Sequence, residues 1–149
     1  MTAKRFAATI TYDGTAFAGS QLQPNARTVQ QELERAAGGL FGTPTRVALA
    51  GRTDSGVHAR GQVAAFSAET RHEAETVRKA LNAALPEDVA IRATRAVPPD
   101  FDPRRWARKR WYRYTIANGE ARDPLARRAA WFIGANLDFQ AMQQAAGAI

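Results

Sequence analysis

An α+β fold, with helices on one face of an antiparallel sheet, is the class that the sequence predicts. Three observations carry it. Apolar periodicity alternates between strand-like and helix-like in the order strand, helix, strand, strand, helix, strand. Both helical stretches are preceded by a Thr-x-x-Gln or Thr-x-x-Glu pattern, the signature of a capped start. Loops rich in Gly, Pro, Asn and Asp separate the periodic stretches. That order is the split βαβ, ferredoxin-like arrangement, βαββαβ, here followed by one extra strand.

Each element follows from its residues. Residues 5–12, RFAATITY, place Phe6, Ala8, Ile10 and Tyr12 on one face, which predicts a strand. Residues 13–27 form a Gly/Pro/Asn-bearing loop. Thr28 and Gln31 then open a helix with the stripe Val29, Leu33, Ala36, Ala37 and Leu40. TRVALA (45–50) and QVAAFS (62–67) are two short strands. Thr70 and Glu73 repeat the capping pattern before a helix with Val77, Ala80, Leu81, Ala84 and Leu85 as its stripe, and Pro86 stops it. DVAIRATRAV (88–97) is a strand with Val89, Ile91 and Ala93 aligned, and RWYRYTIA (110–117) is a further strand. In this topology the two middle strands pair, so residues 51–61 join neighbours at one end of the sheet. The helix-free face is expected to be open for binding or for packing on another domain. A third helix starts at Asn136 or Asp138, with Leu137, Met142, Ala145, Ala146 and Ile149 in register. The expected organisation is a catalytic α/β domain over residues 1–118, then a linker and the truncated start of a second, similar domain over 119–149.

Composition narrows the chemistry. There are no cysteines, which excludes disulfides and thiol catalysis. Residues 1–12 are too short and polar for a signal peptide, and no apolar run reaches the ~20 residues of a membrane helix, so a cytoplasmic protein without membrane contact is expected. Twenty-one Lys plus Arg against fourteen acids leave a net charge of +7, which favours polyanionic partners. Arg104, Arg105, Arg108, Lys109, Arg110 and Arg113 interleave with Trp106, Trp111 and Tyr112. Cations for phosphates beside flat rings for bases compose a nucleic-acid surface; the alternative is a strand with its rings in the core. No His, Asp and Glu set has metal-ligand spacing, and no GxxxxGK[ST] or GxGxxG motif occurs. No metal or cofactor is therefore expected. Ser20 and Ser55 lack a paired base and an elbow motif.

The sharpest candidate is Asp54, in GRTDSGVHARG (51–61). An Asp before Ser-Gly commonly braces a turn with its own side chain. Two features favour chemistry instead. The loop is longer than the usual two to five residues of a hairpin. Arg52 and Arg60 flank the acid, and a nearby cation would keep it ionised, a state suited to a nucleophile or base and not to a general acid. His58 has two readings, a proton shuttle or a hydrogen-bonding scaffold residue, the second being the commoner for one histidine in a glycine-rich loop, and His72 reads as surface. A plain RNA-recognition module shares the strand order, but RGQVAAFS puts Gln62, Val63 and Ala64 where stacking aromatics would stand.

YDGTAFAG (12–19), QLQ (21–23), TVQQELERA (28–36), AGRTDSGVHARGQV (50–63) and PPDFDPRRWARKRWYRYTIAN (98–118) together resemble the N-terminal half of the TruA-type tRNA pseudouridine synthases. The likeness runs over nearly the whole chain. It implies isomerisation of uridine to pseudouridine in the tRNA anticodon stem-loop, without metal or cofactor, by a homodimer whose cleft lies between two α/β domains. It places the essential aspartate on Asp54, acting as nucleophile or as proton acceptor. It also puts the arginine that fills the space of the flipped nucleotide on Arg52, and the substrate-stacking tyrosine on Tyr112. The cations Arg104, Arg105, Arg108, Lys109 and Arg110 are then assigned to tRNA phosphates. Ser20 stands where the family usually has Trp, which implies a loop with less packing surface. The family's C-terminal half is missing from these residues, which implies a fold retained but little isomerase activity for the chain by itself. The rival reading is a catalytically silent RNA-binding fragment.

Overall fold

The computed structural model describes residues 1–148; Ile149, the last position of the C-terminal stripe, lies outside them. The chain divides into two compact units, Met1–Lys109 and Arg110–Ile149.

The first unit contains β1 (Thr2–Tyr12), a 3-10 turn (Gly14–Ala16), α1 (Val29–Phe41), β2 (Val47–Leu49), β3 (Ala59–Thr70), α2 (Ala74–Ala84) and β4 (Val89–Val97). The strand order is β2-β3-β1-β4, with every neighbouring pair antiparallel. This is the expected split βαβ sheet, and the two middle strands do pair. The alternation read in β1 is its burial pattern: Phe6, Ala8, Ile10 and Tyr12 are all buried. They pack with Val29, Leu33, Ala36 and Ala37 of α1 and with Val77 and Leu81 of α2 in one core. Across the sheet Phe6 pairs with Phe66, their rings 5.5 Å apart. Each buried Phe, Ile, Leu or Val side chain contributes about 1.5–3 kcal/mol, so the periodic residues account for why these segments fold together. Thr28 caps α1 as expected, its hydroxyl accepting the Gln31 N–H at 3.2 Å.

Four sequence expectations need correction. Thr70 is not a helix cap; it ends β3, and its hydroxyl accepts the His72 N–H at 3.0 Å. The N-cap of α2 is Glu73, whose carboxylate is 2.7 Å from Lys4 Nζ. Ala93 does not align with Val89 and Ile91. A register shift between Thr9 and Ile10 leaves Arg92 as an extra residue, and such a bulge turns the following side chains to the opposite face. The strand expected over 110–117 forms only at β5 (Ile116–Asn118), in the second unit. Finally, the helix-free face of the sheet is open only in part, with Ser67, Ala93 and Arg95 exposed on it. Residues 98–104 run across it from the end of β4: Arg5 Nε on β1 donates to the Phe101 carbonyl at 2.7 Å, and Arg104 Nε donates to the Leu49 carbonyl of β2 at 3.2 Å. Ala7 and Ala65, which pair on this face, are accordingly buried. Small side chains there let the crossing segment lie close.

The second unit pairs β5 in parallel with β6 (Trp131–Ile133) and ends in α3 (Phe139–Ala146). Asp138 caps α3, accepting the Ala141 N–H at 2.9 Å, as expected from the sequence. No residue of α3 is buried.

The long loop between β1 and α1 is fastened by Arg27. Its guanidinium donates to Glu32 at 2.8 Å and to both Asp88 oxygens at 2.7 and 3.0 Å, and lies 4.2 Å from the Phe17 ring centroid. Burial opposes the charge of Glu32, but hydrogen bonds from Arg27 and Arg35 outweigh it and hold the carboxyl below its ordinary 4.5. A lowered folded-state value means stability that is present above pH 4.5 and lost as pH falls through the folded value. Arg27→Met should therefore lower unfolding free energy at pH 7 by about 1–3 kcal/mol. It should also flatten the acid limb of the Tm-against-pH curve, both read by thermal melts from pH 3 to 7. An unchanged acid limb would contradict this account.

Candidate active site

The site is the connection between β2 and β3, at the end of the sheet where Tyr12 of β1 pairs with Ala59 of β3. Its backbone is tied down almost residue by residue. Ala50 N donates to the Val63 carbonyl at 2.8 Å. The Gln62 amide brackets Gly51, donating to its carbonyl at 2.7 Å and accepting its N–H at 3.3 Å. Thr53 N donates to Ser20 Oγ at 2.8 Å, and the Thr53 carbonyl accepts Ser20 N at 3.0 Å. The Thr53 hydroxyl lies 2.8 Å from the Tyr12 hydroxyl. Ser55 Oγ and Gly56 N both donate to the Phe17 carbonyl, at 3.1 and 3.4 Å. His58 Nδ1 accepts the Gly14 N–H at 3.0 Å and sits 3.1 Å from Asp13 Oδ1. His58 thus braces the first loop against the second.

Within this frame Asp54 sits at the first position of a turn, its carbonyl accepting Val57 N at 3.2 Å. Gly56, at φ +79°, supplies the left-handed third position. The turn is closed by the backbone, not by the Asp54 carboxylate, whose side chain is 87% exposed. The cation beside it is Arg52, with Nε 3.8 Å from Asp54 Oδ1 and the side chain 62% exposed. A pair so exposed is heavily screened, so it orients charge more than it stabilises the fold.

The other predicted residues fall into two groups. Arg104 shares the first unit with the loop. With Arg52, Ser20, Gln21, Gln30 and Gly51 it lines a cavity of about 160 Å³. Asp102 holds the turn that presents it, accepting the backbone N–H groups of Arg104 and Arg105 at 2.8 and 3.1 Å. The bond from Arg105 and then that from Arg104 keep the Asp102 carboxyl below its usual range. Arg105, Arg108 and Lys109 are exposed. Arg110 and Tyr112 belong to the second unit, both exposed, the tyrosine at 70%. Residues 110–115 form no strand, and Trp111 and Tyr114 are also exposed.

Sequence reading missed the brace. Ser20, read from the sequence only as a loss of packing surface, is fully buried and holds both backbone polar groups of Thr53. Tyr12 and Gln62 lie within the motifs that carry the resemblance, but nothing in the sequence showed their partners in the loop. Gly14 and Gly19 are points of close approach: a Cβ on Gly14 would overlap the Val57 carbonyl, and one on Gly19 would lie 2.9 Å from the Thr53 carbonyl. Both glycines let the first loop press against the second. Gly14→Ala should lower stability by about 1–3 kcal/mol in urea denaturation and shift the amide resonances of residues 55–58. A variant as stable as the parent, with those resonances unmoved, would show that the approach is not tight.

Among the described residues no His, Asp and Glu group could hold a metal ion, and no helix is long and apolar enough to cross a membrane. Comparison with known proteins gives a consistent result. The family model described as tRNA pseudouridine synthase matches residues 8–104, a span holding Arg52, Asp54 and Arg104. A protein of Roseiflexus castenholzii named tRNA pseudouridine synthase A is 50% identical over 142 residues, covering 95% of this chain and 53% of the relative. Those of Citrifermentans bemidjiense and Myxococcus xanthus, with the same name, are each 45% identical, covering 93% and 95% of this chain and 56% and 54% of themselves. The chain spans about half the length of the curated relatives it matches. By its motifs, its sheet topology and these matches, the chain belongs to the tRNA pseudouridine synthase family, of the TruA type.

Proposed function

We propose that this chain supplies the catalytic carboxylate of a cytoplasmic tRNA pseudouridine synthase acting on uridines of the anticodon arm, as a homodimer and without metal or cofactor. The observation that carries the reading is Asp54: an exposed carboxylate on a loop whose backbone is otherwise fastened, with a guanidinium 3.8 Å away. The reaction is an isomerisation. The N1–C1′ bond of uridine breaks, the uracil turns, and a C5–C1′ bond forms. The proton leaves C5 and one is gained at N1, so no oxidant, reductant or co-reactant is consumed. An ionised carboxylate at the sugar can serve either as nucleophile at C1′ or as proton acceptor. A uridine in a stem must first leave the stack, at a cost of a few kcal/mol. Stacking on a ring such as Tyr112 returns about 1–3 kcal/mol. Arg52 is assigned to the flipped nucleotide's vacated space, and Arg104, Arg105, Arg108, Lys109 and Arg110 to phosphates, whose neutralisation gives salt-dependent affinity.

In the full-length protein, Asp54→Asn should lower product formation by about 10³-fold or more while tRNA affinity stays within about twofold. A tritium-release assay and filter binding read the two quantities. Undiminished turnover would sink the enzymatic reading, and a silent RNA-binding chain would show no turnover before or after the change. Tyr112→Ala should reduce kcat/KM by about 10- to 100-fold, with Tyr112→Phe retaining most of it, because stacking needs the ring and not the hydroxyl. Equal losses in both variants would remove Tyr112 from the base.

A further inference from the structure

We propose that Ser20 is a positioning residue for the Asp54 carboxylate, acting through the backbone of Thr53; the inference rests on the reading of Asp54 given above. Ser20 is fully buried. Its Oγ accepts Thr53 N–H at 2.8 Å, its own N–H donates to the Thr53 carbonyl at 3.0 Å, and Oγ also lies 3.5 Å from that carbonyl oxygen. Both polar groups of one peptide-bearing residue therefore end on Ser20, and the Thr53 hydroxyl ends on Tyr12. The Thr53 carbonyl belongs to the planar peptide that leads into Asp54, so fixing it fixes the direction from which the Asp54 side chain leaves the loop.

Among the described residues Ser20 is what meets the Thr53 backbone itself; the Tyr12 hydroxyl meets the Thr53 side chain, and Gln62 holds Gly51 further upstream. Ser55, Gly56 and His58 are held to Phe17 and Gly14, but they lie after Asp54 in the turn. Arg52, before it, lines the cavity beside Ser20 and is exposed. Thr53 is the point where the segment entering the turn meets the protein interior, and Ser20 is what it meets. A hydroxymethyl fits this place for two reasons. It is short enough to reach a backbone N–H while completely buried, and it offers acceptor and donor on one atom. Alanine keeps the backbone bond to the Thr53 carbonyl but leaves the Thr53 N–H without its acceptor. The loop can then relax into the adjoining cavity of about 160 Å³, and a displacement of about 1 Å at a reacting group can cost about 10²-fold in rate.

The experiment compares Ser20→Ala, Ser20→Thr and Asp54→Asn in the full-length protein. Turnover, tRNA affinity and Tm are measured, together with hydrogen exchange at the Thr53 amide by NMR. Ser20→Ala is expected to lower kcat by about 10- to 100-fold, with KM and tRNA affinity within about twofold. The Thr53 amide should exchange faster while the amides of β1 and β3 keep their protection. Ser20→Thr keeps the hydroxyl and should recover most of both effects. The inference is overturned if Ser20→Ala turns over like the parent while Asp54→Asn is inactive. It is equally overturned if rate, affinity and Tm fall together in both Ser20 variants, the mark of a packing role only. Turnover surviving in Asp54→Asn defeats the underlying reading, and the Thr53 exchange data then still report whether the brace exists.

Discussion

The Asp54 carboxylate is exposed and does not close its own turn. Whatever positions Asp54 has to act on backbone atoms next to it, and the contact that does so most directly is the pair of hydrogen bonds between Thr53 and Ser20, 33 residues apart in sequence. Buried backbone hydrogen bonds are net contributors of about 0.5–1.5 kcal/mol each, but a buried donor or acceptor stripped of its partner costs more. The arrangement is therefore hard to leave part-way. It is transmitted further by Arg27, which ties the Ser20-bearing loop to Glu32 at the start of α1 and to Asp88 at the entry to β4. The loop that carries the charge is thus referenced to both a helix and the sheet edge, and the rigidity of the site is borrowed from the core beneath it.

The same sheet delivers the cations. Residues 98–104 leave β4 and cross the alanine-lined face, so that Arg104 reaches β2 at Leu49, the strand from which the Asp54 loop departs. Arg104 and Arg52 consequently line one cavity although 52 positions of sequence numbering and two strands separate their segments from a common origin in the fold. Two guanidinium groups at one concavity focus positive potential there.

Local patterns made the core legible; long-range ones were silent. Strict alternation in β1 and helical spacing in α1 and α2 reflect which side chains leave water, and that is written in residue type. The Thr70–Glu73 pattern misled because Thr-x-x-Glu also fits a strand end, where buried Thr70 is used for its β-branched side chain. The bulge at Arg92 left no trace because a one-residue insertion changes register without changing composition. Residues 110–115 have strand-forming types, yet an isolated stretch with that propensity forms a strand only where a partner edge exists; here pairing begins at Ile116, opposite Trp131. Asp54 stood out through its motif and loop length, whereas the function of Ser20 depends on a residue it meets only after folding.

The exposure of Asp54 and Arg52 bears on how such a site could act. In water their attraction at 3.8 Å is weak, and both groups are hydrated. An everted nucleotide laid on the loop would displace that water and cover the pair, and lowering the effective dielectric from about 80 to about 20 strengthens the same attraction about fourfold. On the proposed reading the charge arrangement is then worth little in the free protein and more in the complex, and it speeds the chemical step only by the part of that gain that grows as charge develops at the sugar. It also follows that the free protein gains no stability from the pair that would resist substrate entry. The geometry has to be kept without help from the charges themselves, and a brace acting on the backbone of Thr53 meets that requirement where a salt bridge would not.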